Sequence, residues 1–352
     1  MSLFLLLVAF CGFAGAHDGA DPQLTLPPVV YGVQGRPVDI YFANLIGLEH
    51  TTGLTFKVTS TLGRASEERW HYEPKKRDVG DHDLQIDVLN ENGEVVGSQR
   101  ALVRISEASA GKGQSIKLLM IGDSLTHAHF YPYYLHKLLS SPGNPDFEML
   151  GSNAPNAFPG VRHEGYSGWS WRHFARRFVE TPYDATYPQR GSSPFVVQRP
   201  GGERVLDMVR YQEIRLGGKQ PDIILIGLGV NDCFNVRADS ILYVDQCIDG
   251  MLEEADTLIA ALKERFAAAR IAVAITQPAN SRYGAFAGKY GEKRSRHDYL
   301  VVNHRVVQRE IDHFLDPQKR ATLFAVGLGL DTVKGFDADN ALHPNQLGYA
   351  QM

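Results

Sequence analysis

Ser124 closes the stretch KLLMIGDSLTH, where the apolar run Leu118 to Ile121 breaks into Gly122-Asp123-Ser124. A serine hydroxyl is a weak nucleophile until a neighbouring base takes its proton. His343, in FDADNALHPNQLGYAQM, has the side chain for that task. Attack on a carbonyl also builds negative charge on oxygen, which needs donors already aimed at it. Asn231, in PDIILIGLGVNDCFN, offers a side-chain amide, and Gly168, in HEGYSGWSW, an exposed backbone N–H. Singly these signals are weak, since Gly-Asp-Ser is more often a turn with a helix-capping serine. Their weight comes from where they fall.

Apolar runs of strand length recur at Lys117–Ile121, Phe147–Gly151, Asp222–Gly227, Ile271–Thr276 and Thr322–Val326. Amphipathic helical patterns lie between several of them. One has Ile248, Met251, Leu252, Ala255, Leu258, Ile259, Leu262 and Phe266 on a single face, and a second runs through Tyr299–Phe314. Continuous apolar strands alternating with such helices predict an α/β domain over residues 116–352, with a parallel sheet covered on both faces. Ligands of such sheets bind at the carboxyl ends of the strands. Ser124 ends the first run, Gly168 follows the second, Asn231 the third and His343 the fifth.

The preceding region has a different grammar. From Leu24 to Ile105 the chain is rich in β-formers, and Leu84, Ile86 and Val88 alternate with polar residues before the turn dipeptide Asn92-Gly93. This predicts a small all-β sandwich, immunoglobulin-like, over 17–105, joined by the small polar linker 106–115. The first residues, MSLFLLLVAFCGFAGA, read as a signal peptide over 1–16 cleaved after Ala16, although a basic n-region is missing. Its apolar run is too short to span a membrane. The protein is therefore expected to be secreted or periplasmic.

A net charge of -4 gives no reason to expect nucleic acid as a partner. Cleavage leaves Cys233 and Cys247, which suggest one disulfide in an oxidising compartment; two buried thiols are the competing reading. Trp169 and Trp171 could be sugar-stacking platforms, with core packing slightly ahead for each. His127 reads as a surface or supporting histidine, and His163 has no partner spacing for zinc. The long irregular segments around 179–202 and 278–297 are expected to shape the pocket.

The four blocks resemble the SGNH hydrolases, also called GDSL esterases, over Leu118 to Met352. Ser124 matches in GDSL, Gly168 in YSGW, Asn231 in GVND and His343 in DNALHP, in family order. The resemblance implies a flavodoxin-like three-layer sandwich with a five-stranded parallel sheet and no cofactor. It also implies Ser124 as nucleophile and His343 as general base and then acid. The backbone N–H groups of Ser124 and Gly168 and the amide of Asn231 would hold the oxyanion, while Asp232 would brace its loop. The family's aspartate, three residues before the histidine, is Asn340 here; Asp339, one place earlier, is the favoured orienting carboxylate, with Asp337 more distant. The final helix stops at Met352, as a truncated version of a longer chain would. The implied activity is removal of short acyl groups, acetyl foremost, from a carbohydrate or other small ester. A lipase, lysophospholipase or thioesterase, and a decayed carbohydrate-binding protein, are the rivals. Oligomeric state is not legible.

Overall fold

The computed structural model describes residues 23–180, 191–315, 321–324 and 327–352. The expected signal peptide, the mature start at His17, part of the 179–202 segment and Val326 lie outside the described residues.

Seven strands form the N-terminal β region: β1 (Val29–Val33), β2 (Val38–Tyr41), β3 (Thr55–Ser60), β4 (Arg64–Ala65), β5 (Arg69–Tyr72), β6 (Gly80–Leu89) and β7 (Val95–Ser106). They make a four-stranded sheet, β1-β7-β6-β3, and a three-stranded one, β2-β5-β4. β1 runs parallel to β7, and the other ladders are antiparallel. The period-2 pattern read at Leu84, Ile86 and Val88 faces Ile40, Trp70 and Val103 in a shared core. The β6–β7 connection is not a two-residue turn. Asn90 pairs with Glu94 across a three-residue loop, because the Asn90 side chain accepts the N–H groups of Asn92 and Glu94 at 3.0 and 2.9 Å. That cap widens the turn.

The remaining residues form the α/β part. Its sheet contains β8 (Ser115–Gly122), β9 (Asp146–Leu150), β10 (Glu164–Gly165), β13 (Ile223–Gly227), β14 (Arg270–Ala274) and β15 (Ala321–Phe324), with β11 (Val196–Gln198) and β12 (Arg204–Leu206) as a separate hairpin. β9 and β10 pair with successive parts of the same edge of β8, so six strands occupy five positions, all parallel. Neither β10 nor the hairpin carries a sequence pattern.

The helices are α1 (Ser124–His127), α2 (Phe130–Leu139), α3 (Trp171–Arg176), α4 (Met208–Arg215), α5 (Val230–Cys233), α6 (Ile241–Arg265), α7 (Gly284–Tyr290), α8 (Arg296–Phe314) and α9 (Gln346–Gln351). The expected apolar face of α6 is buried throughout and packs with α8 against Leu119, Ile121, Ile224 and Ile226. The opposite face of the sheet, with Leu118, Met120 and Leu225, meets α2. Both parts are locked together by the segment after β15: Asn44 Nδ2 donates to the carbonyls of Gly327 and Leu330 at 2.9 Å, and Leu328 is buried in the β core. None of the described helices is long and apolar enough to cross a membrane.

Candidate active site

Gly122 closes β8 and leaves no room for a larger residue, since a Cβ there would lie 1.9 Å from Thr126 Oγ1. The chain then turns into α1, whose N-cap is Asp123; its Oδ1 accepts the Leu125 N–H at 2.9 Å. Ser124 is thus the first helical residue at the carboxyl edge of the sheet. Its Oγ lies 2.9 Å from His343 Nε2. The histidine reaches it from a loop pinned from behind by Asn280, which follows β14 and is fully buried. Asn280 Nδ2 donates to the carbonyls of Asp337 and Asn340, both at 2.9 Å, and Asn340 Oδ1 accepts the His343 backbone N–H at 3.1 Å.

The other strand ends converge on the far side of Ser124. Asn231, in α5, donates from Nδ2 to Trp169 O at 2.9 Å and to Asp123 Oδ2 at 3.3 Å. This fixes the Tyr166–Trp169 turn beside the nucleophile's own cap. Gly168 sits in that turn with φ +78, a left-handed conformation that glycine takes without strain. No described acceptor takes the backbone N–H of Ser124 or of Gly168. Asp232 Oδ2 accepts the Trp171 N–H at 3.3 Å and so ties α3 to the Asn231 turn.

A family profile described as GDSL-like lipase/acylhydrolase matches residues 120–351, more than half of the chain. The chain belongs to this family. As an SGNH hydrolase its class of chemistry is hydrolysis of carboxylic esters. The chain is also similar in structure to a carbohydrate esterase family 3 protein from Talaromyces cellulolyticus, at 15% identity and a TM-score of 0.39 over 67% of this chain and 91% of that one. It is similar as well to an acetylxylan esterase from Geobacillus stearothermophilus, at 14% identity and a TM-score of 0.37 over 69% of this chain and 92% of that one. No curated protein matches the sequence.

Electrostatics at this SGNH site are set by burial. His343 is held below its ordinary value of 6.5, first by burial and then by the positive charge of Lys289. Asp123 is pushed up to about 7 by burial, against the N–H bond from Leu125. Asp232 is also pushed up to about 7 by burial, with Asp123 adding to the effect. The structure does not bring Asp339 to His343: Asp339 and Asp337 are exposed, and no described carboxylate bonds to the imidazole.

Several supports of the site carried no sequence signal. Glu164 is fully buried and accepts from Ser152, Tyr166 and Tyr211, which anchors the start of the Gly168 turn. Glu310, fully buried on α8, accepts the Thr276 N–H at 3.1 Å and lies directly beneath Gly229. Trp169 and Trp171 are 2% and 0% exposed, so both are packing residues and not platforms. His127 supports the site, with Nδ1 3.2 Å from Gly165 O, and His163 pairs with His129 at 2.8 Å. The expected disulfide is not formed: Cys233 and Cys247 are both free thiols, the first buried in the core and the second half-buried on α6.

Proposed function

We propose that this SGNH hydrolase is a secreted or periplasmic serine esterase that removes short acyl groups, acetyl foremost, from carbohydrates. The observation that supports this most is the 2.9 Å contact between Ser124 Oγ and His343 Nε2. In this reading His343 takes the Ser124 proton as Oγ attacks the acyl carbonyl. The N–H groups of Ser124 and Gly168 and the Asn231 amide hold the oxyanion, each such donor contributing about 3–4 kcal/mol to the transition state. His343 then passes its proton to the departing alcohol, and water attacks the acyl-enzyme by the same route in reverse. Residues 1–16 would be the leader, 17–105 the sandwich, 106–115 the linker and 116–352 the hydrolase. The burial of Leu328 in the β core supports a sandwich fixed against the hydrolase.

Asn340 rather than Asp339 is the residue we assign to holding the histidine loop, and His343 then works without a carboxylate partner. The base must be neutral to act, and its depressed pKa means activity is lost only as pH falls below the ordinary 6.5. The pH profile of kcat/KM on an aryl acetate should therefore have its acid limb below that value, and Asp339→Ala should leave rate and limb within about twofold. A tenfold loss on Asp339→Ala would restore the aspartate as the orienting group.

A second reading has one observation in its favour. An apolar cavity of about 370 Å³ is lined by Asp123, Leu125 and Thr126, chain neighbours of Ser124, and by Leu118, Leu225 and Ala274 of the sheet, although neither Ser124 nor His343 lines it. It is large enough for a longer acyl chain, as in a lipase or thioesterase. Initial rates on aryl acetate and aryl octanoate, beside acetate release from acetylated oligosaccharides, separate the two. Acetate should exceed octanoate by at least about tenfold; the reverse order, with no acetate released from sugar, establishes the long-chain reading.

A further inference from the structure

The proposed mechanism fixes which side of the site the alcohol must occupy. His343 Nε2 has to reach the leaving oxygen, so the alcohol extends on the histidine side, while Gly168 and Asn231 hold the carbonyl oxygen on the other. On the histidine side an open groove of about 580 Å³ runs between the residue after His343, Pro344, and the residue that opens α2, Phe130. Its wall is apolar and rigid. The Phe130 ring packs against Tyr349 at 5.4 Å and Phe158 at 5.7 Å, and Leu347 presents a side chain that is 51% exposed. Its rim is polar, and Asn345 within it is held by bonds to Lys334 O at 2.9 Å and from Gly348 N at 3.1 Å. Lys334 and Asp337 line it, both exposed, and their charged ends make no hydrogen bond or ion pair with a described residue; the Gln346 amide is equally free.

We propose that this groove is the alcohol subsite and that it takes one ring of a neutral sugar, an assignment that rests on the Ser124–His343 reading above. A sugar ring has an apolar C–H face, which suits the fixed Phe130–Pro344–Leu347 wall, and an edge of hydroxyls that both donate and accept. Lys334 can only donate and a carboxylate at Asp337 can only accept, so together they satisfy such an edge. The two charges cancel, which gives the groove no preference for an anionic or cationic headgroup. Lys334 and Asp337 are consequently specificity residues for the alcohol and take no part in acyl transfer.

The test is calorimetric titration of the whole chain, as wild type, Lys334→Met, Asp337→Asn and the double variant, with xylotetraose, cellotetraose, mannotetraose and glycerophosphocholine. At least one tetrasaccharide should bind wild type, and its Kd should rise at least about fivefold in each single variant and further in the double. Absence of binding by all three sugars, or equal Kd in wild type and the double variant, overturns the groove. Tighter binding of glycerophosphocholine than of any sugar overturns the neutral-sugar assignment. Thermal unfolding of the variants is expected to be unchanged, because both side chains are exposed and unpartnered. Aryl acetate hydrolysis by wild type answers separately for Ser124 and His343. Sugar binding lost in the double variant of a protein inert on the aryl ester would uphold the groove and end the esterase reading.

Discussion

Ser124→Ala should lower kcat/KM on an aryl acetate by on the order of 10⁴- to 10⁶-fold, because in the proposed mechanism its hydroxyl forms the acyl-enzyme. His343→Ala should cost about as much, and the double variant little more than either single one, since nucleophile and base act as one unit. Non-additivity is the informative part. Two independent contributors would multiply their losses, whereas the proposed base, whose ring meets Ser124 Oγ at 2.9 Å and no other described side chain, has nothing to deprotonate once that oxygen is gone. Folding should survive the serine change. The hydroxyl makes its one side-chain bond to His343, and the start of α1 is capped by Asp123 and not by Ser124. An unfolding midpoint shifted by no more than a few degrees would match the loss of about 1 kcal/mol for one partly exposed hydrogen bond. Equal activity in wild type and Ser124→Ala would remove the serine from the mechanism.

The parts legible in the sequence are those whose signal is local. β8, β13 and β14 appear as apolar runs because strands buried on both faces need apolar residues at every position. The α6 stripe appears because a helix packed on one side repeats every three or four residues. Ser124 and Asn231 stand out as candidates because each stands just past such a run, whereas His343 lies in a loop well beyond the fifth. What was missed is held by contacts between residues far apart in the chain. Asn280 meets Asn340 across a separation of 60 residues and Tyr211 meets Glu164 across 47. A buried asparagine or glutamate has no periodicity to announce it, and β10, two residues long, is too short for any pattern. Counting back from His343 favours Asp339, but counting cannot see which side chains a loop turns inward. The loop turns Asn340 in and leaves Asp339 in solvent.

Asn231→Ala tests a side chain with two duties. As an oxyanion donor its loss should cost about 10²- to 10³-fold in kcat with KM little changed, since the interaction strengthens only as charge develops. In the resting structure, however, both protons of Nδ2 are engaged, one by Trp169 O at 2.9 Å and one by Asp123 Oδ2 at 3.3 Å. The longer bond is the one that can yield. Burial pushes Asp123 up to about 7, so near neutral pH part of the population carries the neutral carboxyl, a weaker acceptor, and a developing oxyanion can draw that proton away while Trp169 O keeps the amide aimed. Alanine would leave both acceptors without their donor, a cost to stability of about 1–3 kcal/mol. The kinetic effect must therefore be read well below the unfolding transition of the variant. A folded Asn231→Ala protein that kept kcat within tenfold of wild type would show the amide to be structural only, with the oxyanion held by the Ser124 and Gly168 N–H groups alone. A large fall in kcat with an unchanged KM would mean that the same amide that ties Asp123 to the Gly168 turn also stabilises the transition state.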